Sequence, residues 1–284
     1  MRILVTGARG MLGRDLCPLL REQKHEVIEW DLPDHDITNV TPTIAEATKL
    51  KPNAIYHLAA YTDVDGSEKN RAEVYKVNTL GTWTLALAAR DSKADLIYIS
   101  TDYVFDGDKG APYIENDKTR PLNYYGATKL LGEQAIQRDA KRHFICRTSW
   151  LFGPHGRSFV DTILRLAKEK ETIEVVEDQR GSPTFTQDLA SALALFPGSK
   201  QYGIYHVSNS GTCTWFEFAR EIVRMAALKT VVKPTTSDKY VRPARRPGYS
   251  VLDNGLFEAR FKHHLRPWQE ALREFLKQRG ALAE

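Results

Sequence analysis

Ile3-Leu4-Val5-Thr6-Gly7-Ala8-Arg9-Gly10-Met11-Leu12-Gly13 runs a short apolar segment straight into three glycines spaced three apart. Consecutive apolar residues at 3–5 read as a buried strand. From residue 11 to 23 the apolar positions Leu12, Leu16, Leu19 and Leu20 follow a helical face. A glycine turn between a strand and a helix has a physical use. Glycine permits the tight bend and a close approach of backbone N–H groups to a pyrophosphate, whose charge the helix N-terminus stabilises. Gly7, Arg9, Gly10, Met11, Leu12 and Gly13 are therefore expected to cradle a dinucleotide.

Working outward, strand and helix patterns alternate. Strands are expected at 27–30, 54–59, 96–100 and 144–147, with helices at 41–50, 72–91 and 125–137. Such alternation predicts a parallel sheet covered on both faces, an α/β Rossmann-type doubly wound fold. Beyond residue 150 the pattern loosens into helices at 158–169, 187–195 and 214–226 and strands at 173–176 and 203–207. Residues 233–253 read as irregular, and a last amphipathic helix is expected at 267–278. The expected division is a dinucleotide-binding domain over 1–150 and a smaller α/β substrate lobe over 151–284. The boundary is approximate, and segments can cross back.

Composition fits this class. Over 284 residues, 42% are apolar and 27% charged, and 40 basic against 36 acidic side chains leave only +4. That balance excludes a DNA-binding stripe. No run approaches a membrane span, and the opening segment lacks a signal-peptide core, so a cytoplasmic protein is expected. Cys17, Cys146 and Cys213 form no C-x-x-C, and the eight histidines form no H-x-x-x-H pair, so no metal centre is expected.

The second strand ends at Asp31, 18 residues beyond Gly13, where a carboxylate can accept the ribose 2′-hydroxyl of NADH. Arg9 argues the other way, since a guanidinium suits the 2′-phosphate of NADPH. Use of either cofactor follows, with Asp36 and Ile37 covering the adenine.

Tyr125 and Lys129, four apart on a helix, share a face. About 0.8 such spacings arise by chance in a chain of this composition, so the position gives the pair its weight. It follows the fourth strand, whose carboxyl end carries Ser100, Thr101 and Asp102, where open α/β sheets bind ligands. Reducing a ketone leaves an alkoxide that needs a proton. Tyr125 would give it, Lys129 would lower the phenol's pKa while holding the nicotinamide ribose, and Thr101 would bond the substrate carbonyl.

These residues resemble the extended short-chain dehydrogenases and, within them, the dTDP-4-dehydrorhamnose reductases. The resemblance runs nearly end to end. It includes His57-Leu58-Ala59-Ala60-Tyr61-Thr62-Asp63-Val64-Asp65, Asn78, the run from Ser100 to Gly107, Pro121-Leu122-Asn123, Arg147-Thr148-Ser149-Trp150, the run from Asp178 to Thr184, and Arg245-Arg246-Pro247. It implies reduction of the 4-keto group of dTDP-4-dehydro-L-rhamnose by NADPH or NADH, with Thr101, Tyr125 and Lys129 as catalytic residues. It further implies cofactor contacts from Leu58, Ala59, Ala60, Tyr61, Asn78, Ser100, Tyr125 and Lys129. Thr62, Val64, Thr101, Asp102, Tyr125, Trp150 and Arg246 would meet the sugar nucleotide. Related dehydratases carry an acid after the Thr-Asp pair where this chain has Tyr103, which disfavours dehydration.

Some members of that family bridge a dimer through magnesium held by carboxylates. Asp15 would match one, but Gln187 and Gln278 stand at the other positions, and neutral amides are weak magnesium ligands. No bridge is expected, and the chain would be a monomer or homodimer. Two other readings stay open. One is a reductase of another nucleotide 4-ketosugar. The other is a regulatory subunit like the methionine adenosyltransferase β subunit, which shares the fold and binds dinucleotide.

Overall fold

The computed structural model describes residues 1–283. Ile3, Leu4 and Val5 are fully buried on both faces of β1 (Arg2–Thr6), as a covered parallel sheet requires. Five strands of the amino-terminal half pair in parallel: β1, β2 (Glu26–Trp30), β3 (Ala54–His57), β4 (Asp95–Thr101) and β5 (His143–Thr148). With β10 (Gly203–His206) the order is β10-β5-β4-β3-β1-β2. Order reverses at β1, so a crevice opens between the carboxyl ends of β1 and β3.

On one face, α1 (Met11–Glu22) and α7 (Thr186–Leu193) cover Ile3, Val5 and Tyr56. On the other, α2 (Val40–Lys49), α4 (Thr82–Ser92) and α5 (Tyr124–Asp139) cover Leu4, Ile55 and Tyr98. The helix expected at 72–91 is not continuous. It starts as α3 (Arg71–Tyr75), widens into a π turn over Lys76–Gly81 and resumes as α4. Such bulges recur at functional sites because they re-aim a side chain.

A second lobe gathers β6 (Leu151–Phe152), α6 (Phe159–Glu169), β7 (Thr172–Val176), β8 (Arg180–Gly181), β9 (Thr184–Phe185), β11 (Cys213–Thr214), α8 (Trp215–Met225), β12 (Val231–Thr235) and α10 (Trp268–Gln278). Its core holds Phe152, Phe185, Phe218, Trp268 and Phe275. Capping boxes at Ser158/Asp161 and Thr214/Glu217 start α6 and α8.

The division at residue 150 is not clean. The strand expected at 203–207 within the second lobe is instead β10, which completes the edge of the main sheet beside β5. Tyr205 packs there against Phe144 and Phe196, and α7 lies on α1, so apolar burial draws both segments back. α9 (Gly255–Phe261) joins them through Phe257. The irregular stretch after β12 ties the lobes by bridges from Tyr249 to Arg180 and from Leu252 to Tyr113. Among the described residues no helix is long and apolar enough to cross a membrane.

Candidate active site

Parallel strands end together, so the loops after β1, β3, β4 and β5 meet at one rim, and there a cavity of about 780 Å³ opens toward the second lobe. The glycine turn forms one end. Gly7 has φ +70°, and a Cβ on it would stand 2.6 Å from the Ala59 nitrogen; a Cβ on Gly13 would stand 2.5 Å from the Ala8 carbonyl oxygen. These contacts leave a cradle only glycine can line. They also press the turn against Leu58, Ala59 and Ala60, all in the cavity wall. Tyr61 and Asn78 stand behind that wall. The Asn78 side chain, aimed by the π turn, accepts from the Tyr61 N–H at 2.8 Å and donates to the Thr128 hydroxyl at 3.3 Å. Both brace the loop and do not line the cavity.

Asp31, Asp36 and Ile37 line the same end. The Asp31 carboxylate accepts from the backbone of Arg9 at 2.7 Å and of Leu32 at 2.9 Å, tying the glycine turn to the end of β2. The Arg9 guanidinium reaches across to the Leu32 carbonyl and to Asp34, each at 3.1 Å. His35 stacks on Trp30 beside them.

At the centre, Asn123 caps α5 by accepting from the Gly126 N–H, and the first turn delivers Tyr125 into the cavity with Lys129 beside it. The Lys129 ammonium has no hydrogen-bond partner among the described residues although the residue is 3% exposed. Burial lowers its pKa to about 7, against the pull of Glu133. The phenol behaves differently from the sequence expectation. Burial first, and the Asp102 charge second, push the Tyr125 pKa up, while Thr101 pulls it down. The net shift is therefore upward, because desolvation, its largest cause, outweighs what lowers it.

Thr101 donates to Asp102 and accepts from the Tyr103 N–H at 3.1 Å. Its proton is thus turned to the carboxyl and not toward a substrate carbonyl. Asp102 is buried with Oδ2 unpartnered, and burial raises its pKa to about 7 against hydrogen bonds from Ser250 and Thr101. The Ser100 hydroxyl donates to Glu133 at 2.5 Å, so its side chain serves the buried Glu133–Arg147 pair, closed at 2.7 Å.

Toward the second lobe, Thr62, Val64 and Trp150 line the cavity. Trp150 adopts φ +51°, a left-handed backbone strained for tryptophan. Its indole lies over Gly181, where a Cβ would approach to 2.6 Å, and stacks on Trp215 at 3.5 Å. Arg246 does not reach the cavity as expected. It pairs with Asp65 at 2.8 Å, because that half-buried carboxylate is the nearest charge to neutralise it. Sequence reasoning missed Trp215, Arg157, Thr148 and Ser149, which do line it. Thr148 and Ser149 sat inside a quoted motif; Trp215 and Arg157 carried no local signal.

Asp15, Gln187 and Gln278 converge at the lobe junction. Asp15 accepts from Thr186 at 2.5 Å and from Gln187 at 3.4 Å, and the two amides exchange bonds at 3.0 and 3.2 Å. No cluster of three or more His, Cys, Asp or Glu poised for a metal occurs among the described residues.

The family described as RmlD substrate binding domain matches residues 1–280. The chain belongs to the RmlD family. Its relatives include the spore coat polysaccharide biosynthesis protein SpsK of Bacillus subtilis (strain 168), 41% identical across 100% of this chain and 99% of that one. A dTDP-4-dehydrorhamnose reductase of Streptomyces griseus is 41% identical over 96% of this chain and 92% of its own. A crystal structure of dTDP-4-dehydrorhamnose reductase from Bacillus anthracis str. Ames, in complex with NADP, superposes with a TM-score of 0.94 at 40% identity, covering 98% and 99% of the two chains. The expected Rossmann-type fold and the resemblance to dTDP-4-dehydrorhamnose reductases are borne out.

Proposed function

We propose that this chain reduces the 4-keto group of dTDP-4-dehydro-L-rhamnose, using NADPH or NADH, to give dTDP-L-rhamnose. The observation that carries the reading is the convergence of Thr101, Tyr125 and Lys129 on the cavity whose far end is the glycine cradle. The cavity volume suits ligands of this size.

The residues present fit a nicotinamide dinucleotide. Gly7, Gly10 and Gly13, with the free N–H groups opening α1, would hold the pyrophosphate, and Asp31, Arg9, Asp36 and Ile37 would surround the adenosine. The three donors of the Lys129 ammonium, without a hydrogen-bond partner among the described residues, would hold the nicotinamide ribose. When bound, the reduced nicotinamide supplies a hydride. Tyr125 gives its phenolic proton to the oxygen that becomes the alcohol. A raised pKa keeps that proton in place across the neutral range, and Lys129 stabilises the phenolate as it forms. Trp150 and Trp215 offer an aromatic face to the sugar, and Arg157 offers a cation to the diphosphate.

The same geometry would accept another nucleotide 4-ketosugar. Turnover of a panel of nucleotide 4-ketosugars, followed by loss of NADPH absorbance, ranks them. Tyr125→Phe is expected to lose roughly 10²–10⁴-fold in kcat while keeping NADPH affinity. Equal rates for wild type and variant would remove the acid role. The protein is proposed to work in the cytoplasm as a monomer or homodimer.

A further inference from the structure

The Lys129 side chain ends on an aromatic face. Its Nζ lies 4.1 Å from the centroid of the Tyr98 ring, in the middle of β4, and that ring is fully buried. The approach is built into the fold. A Cβ at Gly132 would stand 2.7 Å from the Tyr98 hydroxyl and 2.9 Å from the Asn78 carbonyl oxygen, so glycine is what lets α5 lie this close to β4. The His57 imidazole stacks on the same ring at 5.4 Å. Hydrogen bonds of 2.9 Å to Thr6 and to Thr82 hold it, and burial together with Lys129 brings its pKa to about 3. A second cation beneath the ring is thereby avoided.

We propose that the face of the Tyr98 ring holds the Lys129 ammonium charged and in place, making Tyr98 a positioning residue for the reaction. A ring quadrupole attracts a cation over its face, most strongly where water is excluded. It replaces the hydrogen-bond acceptor that Lys129 lacks and leaves all three N–H donors free for a ligand. An acceptor in that place would compete with the ligand for them.

The other groups facing Lys129 have settled or separable charges. On its own helix these are Tyr125, whose pKa is raised, and Glu133, which pairs with Arg147 at 2.7 Å and pulls the Lys129 pKa up by the same amount in every variant. From β3 there is neutral His57, and from the turn after β4 there is Asp102. Asp102 titrates in the same range, so the readout must report Lys129 itself.

The proposal rests on the reading of Lys129 as a site residue, and its test does not depend on turnover. Tyr98→Phe keeps the aromatic face and serves as reference for a series in which phenylalanines with one, two and three ring fluorines occupy position 98. Fluorination drains the quadrupole while nearly preserving shape. In protein labelled at the lysine ε-carbon, the Lys129 resonance, assigned by its loss in Lys129→Arg, is titrated by NMR. Its midpoint is expected to fall stepwise, by about one pH unit across the series, and the basic limb of kcat/KM to fall in parallel. A midpoint that stays fixed across the series overturns the proposal, as does a loss of activity without movement of that midpoint. Absence of ketosugar turnover in wild type would defeat the proposed function but leave the titration to decide this point.

Discussion

The hydroxyl of Thr101 donates to Oδ1 of Asp102 at 3.0 Å, which commits the single proton of a side chain at the centre of the cavity. What Thr101 offers Tyr125 is governed by that bond. A hydroxyl can rotate once a ligand enters, and the hydrogen bond it then makes to developing negative charge is worth about 1.5–3 kcal/mol. Thr101→Val is therefore expected to lower kcat roughly 10- to 150-fold. Thr101→Ser, which keeps the hydroxyl, should stay within a few-fold of wild type. Steady-state kinetics on the two variants checks this, and a valine as active as the serine would show that the hydroxyl does not act.

Asp102 makes the protein's stability pH-dependent. Its carboxyl titrates near 7 in the folded state against an ordinary 3.8, because burial disfavours the charged form. Between those values the native state binds more protons than the unfolded chain. Stability from this group is thus present at low pH and falls as pH rises toward 7, by roughly 4 kcal/mol at most. Asp102→Asn should melt higher than wild type at pH 8, with a much smaller gain at pH 4.5. Lys129 works in the opposite sense: its lowered value makes stability rise as pH climbs from about 7 toward its ordinary 10.5. The Asn-minus-Asp difference in melting temperature isolates the carboxyl, and a difference that does not vary with pH would refute the assignment.

Cofactor preference turns on Arg9. Its partners are the Leu32 carbonyl and Asp34, and that ion pair is exposed on both sides, at 62% each. Such a pair is worth no more than about 1 kcal/mol, so Arg9 can leave it for a 2′-phosphate at small cost. Asp34→Asn both frees the guanidinium and removes a negative charge from the adenosine end. Its KM for NADPH is expected to fall several-fold, with NADH changed less than twofold; Arg9→Ala should weaken NADPH selectively. Parallel changes for both cofactors in either variant would speak against this division of labour.

The alternating pattern from residue 3 to 147 announced the sheet because short apolar runs such as Ile3–Val5 and Leu96–Ile99 alternate with longer stretches such as α1, whose apolar residues share one face. β10 reads alike, but nothing in Gly203–His206 says which edge it joins; pairing with Phe144–Arg147 of β5, far earlier in the chain, decides that. The glycine cradle and the Tyr125/Lys129 pair were legible because their spacing is itself the geometry. Arg246 was misplaced for want of a partner: pairing with Asp65 is a contact across 181 residues. The sign of the Tyr125 shift was likewise hidden, because a charge four residues away is visible in sequence and the loss of water around a phenol is not.

Asp15, Gln187 and Gln278 meet where the resemblance would put a magnesium bridge, and there their side chains bond to one another. The Asp15 carboxylate is satisfied by Thr186 and Gln187, and each glutamine amide is donor to the other. A divalent cation would have to displace these donors while gaining one charged ligand, and neutral amide oxygens supply little of the field magnesium needs to shed water. Treatment with EDTA is therefore expected to leave kcat, KM and the size-exclusion profile unchanged. Gln187→Glu combined with Gln278→Glu places three carboxylates together, and their mutual repulsion should make that variant less stable without magnesium than with it. Wild-type activity abolished by EDTA and restored by magnesium would mean that the amides do not set the chemistry of this junction.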